Sequence, residues 1–178
     1  MATEKIISSK QIFAGRAVRL RVDTIRLADA RETTREVVEH EDCVAVVAVN
    51  GSGDILLEKQ YRDAVGKELL EIPAGGIDPG ETPEDAVRRE MREETGLLPR
   101  KVVPLGGFYS SPGYSNEYLY LFLATELVPS PLNAEDTDSI SVVPVSPDKA
   151  LGMIRSGSIA DSKSIAGLYA YFDSLRTR

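Results

Sequence analysis

The sequence predicts an α/β fold: a sandwich built on a mixed sheet, preceded by an N-terminal antiparallel β extension. Three observations point there. Strand-like segments open the chain, one helix-like segment interrupts them, strands return and helices close it, the element order of a layered α/β domain. Cys43-Val-Ala-Val-Val-Ala-Val49 is an unbroken apolar run rich in β-branched residues, as in a strand buried on both faces. Residues 83–95 carry helix-boundary signals at both ends.

Taken in order, Val18, Leu20 and Val22 alternate with Arg19 and Arg21, the period of a half-buried strand. The phase changes at Asp23 before Ile25 and Leu27 resume, so a bulge is expected there. Residues 28–32 form a polar connection to a second strand, 34–40. Residues 1–40 read as β structure with too few apolar residues to stand alone; they should pack on the rest of the chain or on a second copy of it. Asn50-Gly-Ser-Gly-Asp54 signals a turn and 55–60 a returning strand, together a hairpin with 43–49. A short strand over 68–72 stops at Pro73. Strands are expected at 102–109, 117–126 and 140–145, and helices at 147–156 and 162–176. In the last of these, Ile165, Leu168, Tyr169 and Phe172 recur at helical spacing.

Composition narrows the function. The 178 residues suffice for one domain with a small appendage and a genuine core. With 28 acidic against 21 basic residues the net charge is −7, which lacks the basic footprint of a dedicated nucleic-acid binder and disfavours attachment to a membrane surface. No apolar run approaches the ~18 residues that span a bilayer. The opening MATEKIISSK has no signal-peptide layout, so the cytoplasm is the expected compartment. Cys43 is the only cysteine; its apolar neighbours suit a buried inert thiol better than a reactive one. His40 is the only histidine, so a Cys/His zinc site of about four ligands is excluded. A serine-type triad would have to recruit His40 from a strand-like run, where a surface histidine is the simpler reading. An enzyme built on this chain must work with carboxylates.

The chemistry concentrates in residues 73–97. Thr82 suits an N-cap, Pro83 the first helical position, Glu84 and Asp85 the positive end of the helix dipole, and Gly96 the C-terminal stop. At about 100° per residue, Glu90, Glu93 and Glu94 lie on one side together with Ala86, Val87 and Met91. Glu84, Asp85, Arg88, Arg92 and Thr95 fall on the other. Two readings compete. One is a solvated helix laced with i,i+4 ion pairs such as Glu84–Arg88 and Arg89–Glu93. The other is a site for a hard divalent cation, which explains why three carboxylates share the apolar side despite their repulsion and the cost of burial. The preceding loop, with Gly75, Gly76 and Gly80, permits close backbone approach to a ligand, and a carbonyl at Ala74 can face the same metal.

These residues resemble the Nudix hydrolases. Gly75, Glu81, Arg89, Glu90, Met91, Glu93, Glu94, Gly96 and Leu97 fill all nine constrained positions of the 23-residue box G-x5-E-x7-R-E-U-x-E-E-x-G-U, where U is bulky and apolar. Within that family the chain is similar to the ADP-ribose pyrophosphatase branch. The similarity runs through Glu36-Val-Val-Glu-His40, Gln60-Tyr-Arg62, Glu71-Ile-Pro-Ala-Gly75, Ser111-Pro-Gly-Tyr-Ser-Asn-Glu117 and the tail at 150–166. Pro112, fifteen residues past Leu97 (112 − 97 = 15), marks the ADP-sugar branch.

The resemblance implies a Nudix-type α/β/α sandwich and hydrolysis of the pyrophosphate bond of ADP-ribose to AMP and ribose 5-phosphate. The cofactor it implies is Mg²⁺, with Mn²⁺ as substitute. It makes Glu90, Glu93, Glu94 and the Ala74 carbonyl the metal ligands. Arg89 would orient a box glutamate, Glu81 would support the loop–helix junction, Arg62 would contact the substrate phosphates and Glu117 would line the substrate site. It also implies a homodimer in which residues 1–40 are a dimerisation extension contacting the partner's substrate, while 41–178 form the catalytic domain. For Arg62 a surface strand charge, and for Glu117 a solvated loop residue, are the plainer readings. The family places a catalytic glutamate in an acidic loop before a late strand. Here Glu135-Asp-Thr-Asp138 stands near that place, with aspartates at the matching positions Asp136 and Asp138 and Glu135 one residue off. Asp136 is the expected base, against the reading of a plain acidic surface loop. The alternatives to ADP-ribose are another nucleotide sugar, such as ADP-glucose or GDP-mannose, and a non-catalytic ADP-ribose sensor.

Overall fold

A computed structural model describes residues 4–133 and 140–176. The chain divides into two compact units: Met1–Asp42 with Tyr109–Tyr118, and Cys43–Phe108 with Leu119–Arg178. The expected boundary near residue 40 ignored the second segment of the first unit.

The first unit contains an antiparallel sheet in the order β1 (Lys5–Ala14), β2 (Arg19–Arg26), β3 (Glu32–Glu39). β1 is a strand that alternation did not reveal: its apolar residues occupy both parities and every residue is exposed, including Ile6, Ile12 and Phe13. The bulge expected at Asp23 is absent. β2 runs in unbroken register with β3 from Arg19↔Glu39 to Arg26↔Glu32, and the register shifts lie in β1, between Ile6 and Ser8 and between Gln11 and Phe13. The apolar phase changes because Asp23 itself is buried on the face of Ile25, where Arg21 Nε donates to both its carboxylate oxygens at 3.1 Å. Ser115 bridges β3 at Val38, and the Val38 amide donates to the Tyr114 carbonyl at 2.7 Å.

The second unit is built on a mixed sheet. Its order is β10 (Ser141–Val145), β5 (Ile55–Arg62), β4 (Cys43–Val49), β9 (Tyr118–Pro129), β8 (Leu97–Tyr109), with β6 (Lys67–Glu71) added to β5 and β7 (Ala74–Gly76) to β4. β4 runs parallel to β9 and antiparallel to β5 and β7. As its apolar run requires, β4 is buried on both faces. Val44, Val46 and Ala48 pack with Ala86, Val87 and Met91 of α1 (Pro83–Thr95). Cys43, Ala45 and Val47 join Ala150 of α2 (Pro147–Arg155) and Leu168 and Tyr171 of α3 (Ser162–Arg176). One helix on one face and two on the other make the α/β/α sandwich. The hairpin at 50–54 closes as expected, with the Asn50 amide donating to the Asp54 carbonyl at 2.9 Å. The loop after Pro73 is more ordered than its glycines suggested, since 74–76 re-enter the sheet as β7.

Candidate functional site

Helix α1 has the bounds that its capping signals predict. Thr82 Oγ1 accepts from the Asp85 amide at 3.2 Å, and Gly96 adopts φ +72, the left-handed stop that favours glycine. Ala86, Val87, Glu90 and Met91 are its buried residues. The apolar stripe therefore carries a carboxylate into the second unit with it.

Two carboxylate groups form around this helix. The first is organised by Arg89. Its Nε and Nη2 donate to the two oxygens of Glu81, each at 3.0 Å, and its Nη1 reaches Glu90 Oε1 at 2.7 Å and Glu93 Oε2 at 3.1 Å. Nη2 also donates to the Gly76 carbonyl at 2.7 Å, tying helix to loop. The guanidinium holds Glu81 below the usual carboxylate range, whereas burial outweighs the same guanidinium at Glu90 and pushes that carboxyl up. Of the two ion pairs drawn for a solvated helix, Arg89–Glu93 forms. Arg88 instead donates to the Glu84 carbonyl at 3.1 Å and lies 3.7 Å from Asp85. The loop fits tightly over this group: a Cβ on Gly75 would stand 2.0 Å from Glu90 Oε1, so only glycine lets β7 pass the carboxylate.

The second group was not foreseen. Glu94 accepts from the Ala74 amide at 3.1 Å and is hydrogen-bonded to the carboxyl of Glu58 on β5. Burial, followed by the neighbouring Glu58, pushes Glu94 up to about 9, and burial pushes Glu58 up to about 7. Glu58 is only 3% exposed, and among the described residues its Oε1 has no hydrogen-bond partner. Directly across the strand pair stands Glu71, also buried. Arg62 grips Glu71 with Nε at 3.0 Å and Nη2 at 2.7 Å, and Lys163 at the start of α3 binds the same carboxylate. Burial pushes Glu71 upward, but Arg62 and Lys163 outweigh it and hold the group low. Lys163 also pairs with Asp161 at 3.1 Å.

The structure thus brings Glu90, Glu93 and Glu94 onto the inward side of α1, with the half-buried Ala74 beside Glu94 and Arg62 on a neighbouring strand. Glu117 lies in the first unit, where it accepts from Ser110 Oγ at 2.5 Å and stands 3.7 Å from His40 Nδ1. A groove of that unit is lined by Val18, Val38, His40, Ser110, Tyr114 and Glu117. His40 is half-buried just past β3 and not a surface strand residue. Cys43 is buried and forms no disulfide. Glu135, Asp136 and Asp138 lie outside the described residues. Sequence reasoning missed Glu58, Glu71 and Lys163. The available signal for Glu58 was a charge at the Leu56 parity directly after the apolar run Ile55-Leu56-Leu57.

An all-oxygen carboxylate set, one buried oxygen without a partner and a glycine cradle match the donor chemistry of a hard divalent cation. No helix among the described residues is long and apolar enough to cross a membrane.

A family model described as NUDIX domain matches residues 39–166. An ADP-ribose pyrophosphatase of Bacillus subtilis (strain 168) is 36% identical over 163 residues, covering 90% of this chain and 88% of its own length. A methanol dehydrogenase activator of Bacillus methanolicus is 35% identical over 164 residues, covering 91% and 89%. A solved structure titled as an ADP compounds hydrolase superposes with a TM-score of 0.89 over 98% of this chain and 95% of its own; at 17% identity it speaks for the fold.

Proposed function

The chain belongs to the Nudix family and is a pyrophosphohydrolase of it, and from that premise we propose that it hydrolyses the pyrophosphate bond of ADP-ribose to AMP and ribose 5-phosphate with Mg²⁺. The observation that carries the metal-dependent reading is the gathering of Glu90, Glu93, Glu94 and Glu58 around one helix face, with Arg89 the cation of the first group. The choice of ADP-ribose is supported by the B. subtilis relative, whose similarity extends over nearly the whole chain.

Glu90, Glu93, Glu94 and the Ala74 carbonyl would hold the cation. When bound, it neutralises the diphosphate and acidifies a water. The remaining work falls to the chain. Arg89 fixes one oxygen each of Glu90 and Glu93, leaving Glu90 Oε2 and Glu93 Oε1 outside its grip. Arg62 orients the substrate phosphates; Glu71 grips two of its nitrogens and leaves Nη1 outside the clamp. Asp136 accepts the proton of the attacking water. Changing Asp136 to Asn should lower kcat by about 10²-fold or more at fixed Mg²⁺, the scale of a general base. A loss smaller than tenfold moves the base elsewhere, with Glu117 next to be tested.

The substrate is settled by a panel. kcat/KM is measured with Mg²⁺ for ADP-ribose, ADP-glucose, GDP-mannose and dinucleotides, with product identification. ADP-ribose should rank first and yield AMP. A higher kcat/KM for another compound replaces the substrate while leaving the reaction class in place.

A further inference from the structure

The three box glutamates read as metal ligands, Glu90, Glu93 and Glu94, all come from α1, yet the carboxylate with the least compensation comes from the sheet. Glu58 sits on β5 at the parity of Leu56, which packs against the core of the α1 face. It is 3% exposed, more deeply buried than Glu90 at 9%. A carboxylate at such depth needs hydrogen-bond donors or a cation. Glu58 Oε1 has neither among the described residues. The nearest basic groups are committed across the strand pair: Arg62 and Lys163 both bind Glu71. What Glu58 meets is another carboxyl, that of Glu94, hydrogen-bonded to it.

From this placement we infer that Glu58 is itself a ligand of the metal centre, donating Oε1 to a divalent cation held jointly with Glu94. The inference rests on the reading that the box glutamates hold such a cation, and adds to it a ligand from β5 that the box does not contain. A cation between the two groups gives the orphan oxygen its partner and offsets the like charges that β5 and β6 place opposite each other at Glu58 and Glu71. The competing role is a positioning residue that only hydrogen-bonds Glu94 and never touches metal.

Two measurements separate these roles, and neither is an activity assay. In wild-type crystals soaked in Mn²⁺, anomalous difference maps should show a peak within bonding distance of a Glu58 oxygen, about 2.1 Å for a hard divalent ion. Peaks at Glu90, Glu93 or Glu94 with none bonded to Glu58 overturn the inference and leave the proposed function standing. In solution, Mn²⁺ binding is titrated calorimetrically to wild type, Glu58→Gln and Glu94→Gln. Glutamine keeps the volume and a hydrogen bond to Glu94 but loses the anionic oxygen. Glu58→Gln should weaken Mn²⁺ at one site at least about tenfold; affinity within twofold of wild type contradicts the assignment. If wild type binds no Mn²⁺, both this inference and the metal-dependent reading fall, while loss in Glu94→Gln without loss in Glu58→Gln removes this inference alone.

Discussion

Glu93 and Glu94 are sequence neighbours on α1 with opposite surroundings. Glu93 belongs to a group that carries its own counter-charge: Arg89 touches Glu81, Glu90 and Glu93 at once and ties them to the Gly76 carbonyl. Glu94 faces Glu58, a second buried carboxyl, and accepts from the Ala74 backbone amide. The difference divides the labour of a carboxylate site. The Arg89 group is tied together before any ligand arrives, because one guanidinium bonds all three of its carboxylates. The Glu58–Glu94 pair is left electrostatically unfinished and is where a cation gains most. A site compensated throughout would have little affinity for metal, and one compensated nowhere would resist folding.

The largest effect is expected at Glu94. Glu94→Gln removes charge from the unfinished pair at constant volume. Loss of several kcal/mol of transition-state stabilisation corresponds to about 10²–10³-fold or more in kcat/KM, with the native circular dichroism spectrum retained. Turnover within threefold of wild type at saturating Mg²⁺ would remove Glu94 from the centre.

Arg89→Met tests the other half. It strips the counter-charge from Glu81, Glu90 and Glu93, and should cost roughly 3 kcal/mol of stability by urea unfolding, the low end of the penalty for orphaning buried charges because the guanidinium is partly exposed. A change below about 1 kcal/mol would mean that the group holds its shape without the arginine.

The smallest effect sharpens the contrast through pH. Burial raises Glu58 and Glu94 above their ordinary 4.5, to about 7 and about 9. The folded chain therefore holds protons that the unfolded chain releases above about pH 4.5. The contribution is fully present below that pH and is lost as pH rises toward about 9. Glu71 and Glu81, held low, act in the opposite sense, and theirs is lost only as pH falls below about 4.5. In EDTA the Tm should decline between about pH 5 and pH 9, and Glu58→Gln should flatten that slope. A Tm that is flat or rising through this window in the wild type contradicts the unfinished pair.

The same contrast marks how far the sequence could be read. Helix α1 was legible because caps, proline and glycine are local signals, and its inward glutamates followed from helical geometry alone. β4 was legible because both parities are apolar. Glu58 and Glu71 were not, since each looks like an ordinary polar strand position until β5 and β6 pair in register and bring them opposite each other. Lys163 binds Glu71 across 92 residues of sequence, a distance no local pattern encodes. The β character of residues 1–40 was legible but the bounds of β1 were not, because a strand exposed at every residue shows no alternation, and the supposed bulge at Asp23 was a buried ion pair with Arg21.

We propose that the carboxylates of α1 and β5 form a divalent-metal centre for pyrophosphate cleavage. Its most direct test is AMP release from ADP-ribose by the wild-type protein, followed with Mg²⁺, after chelation by EDTA, and again after Mg²⁺ is restored in excess. Turnover that requires Mg²⁺, stops with EDTA and returns on restoration is the predicted result. Hydrolysis that continues unchanged in EDTA, or no hydrolysis of any nucleoside-diphosphate compound with Mg²⁺ or Mn²⁺, would contradict it.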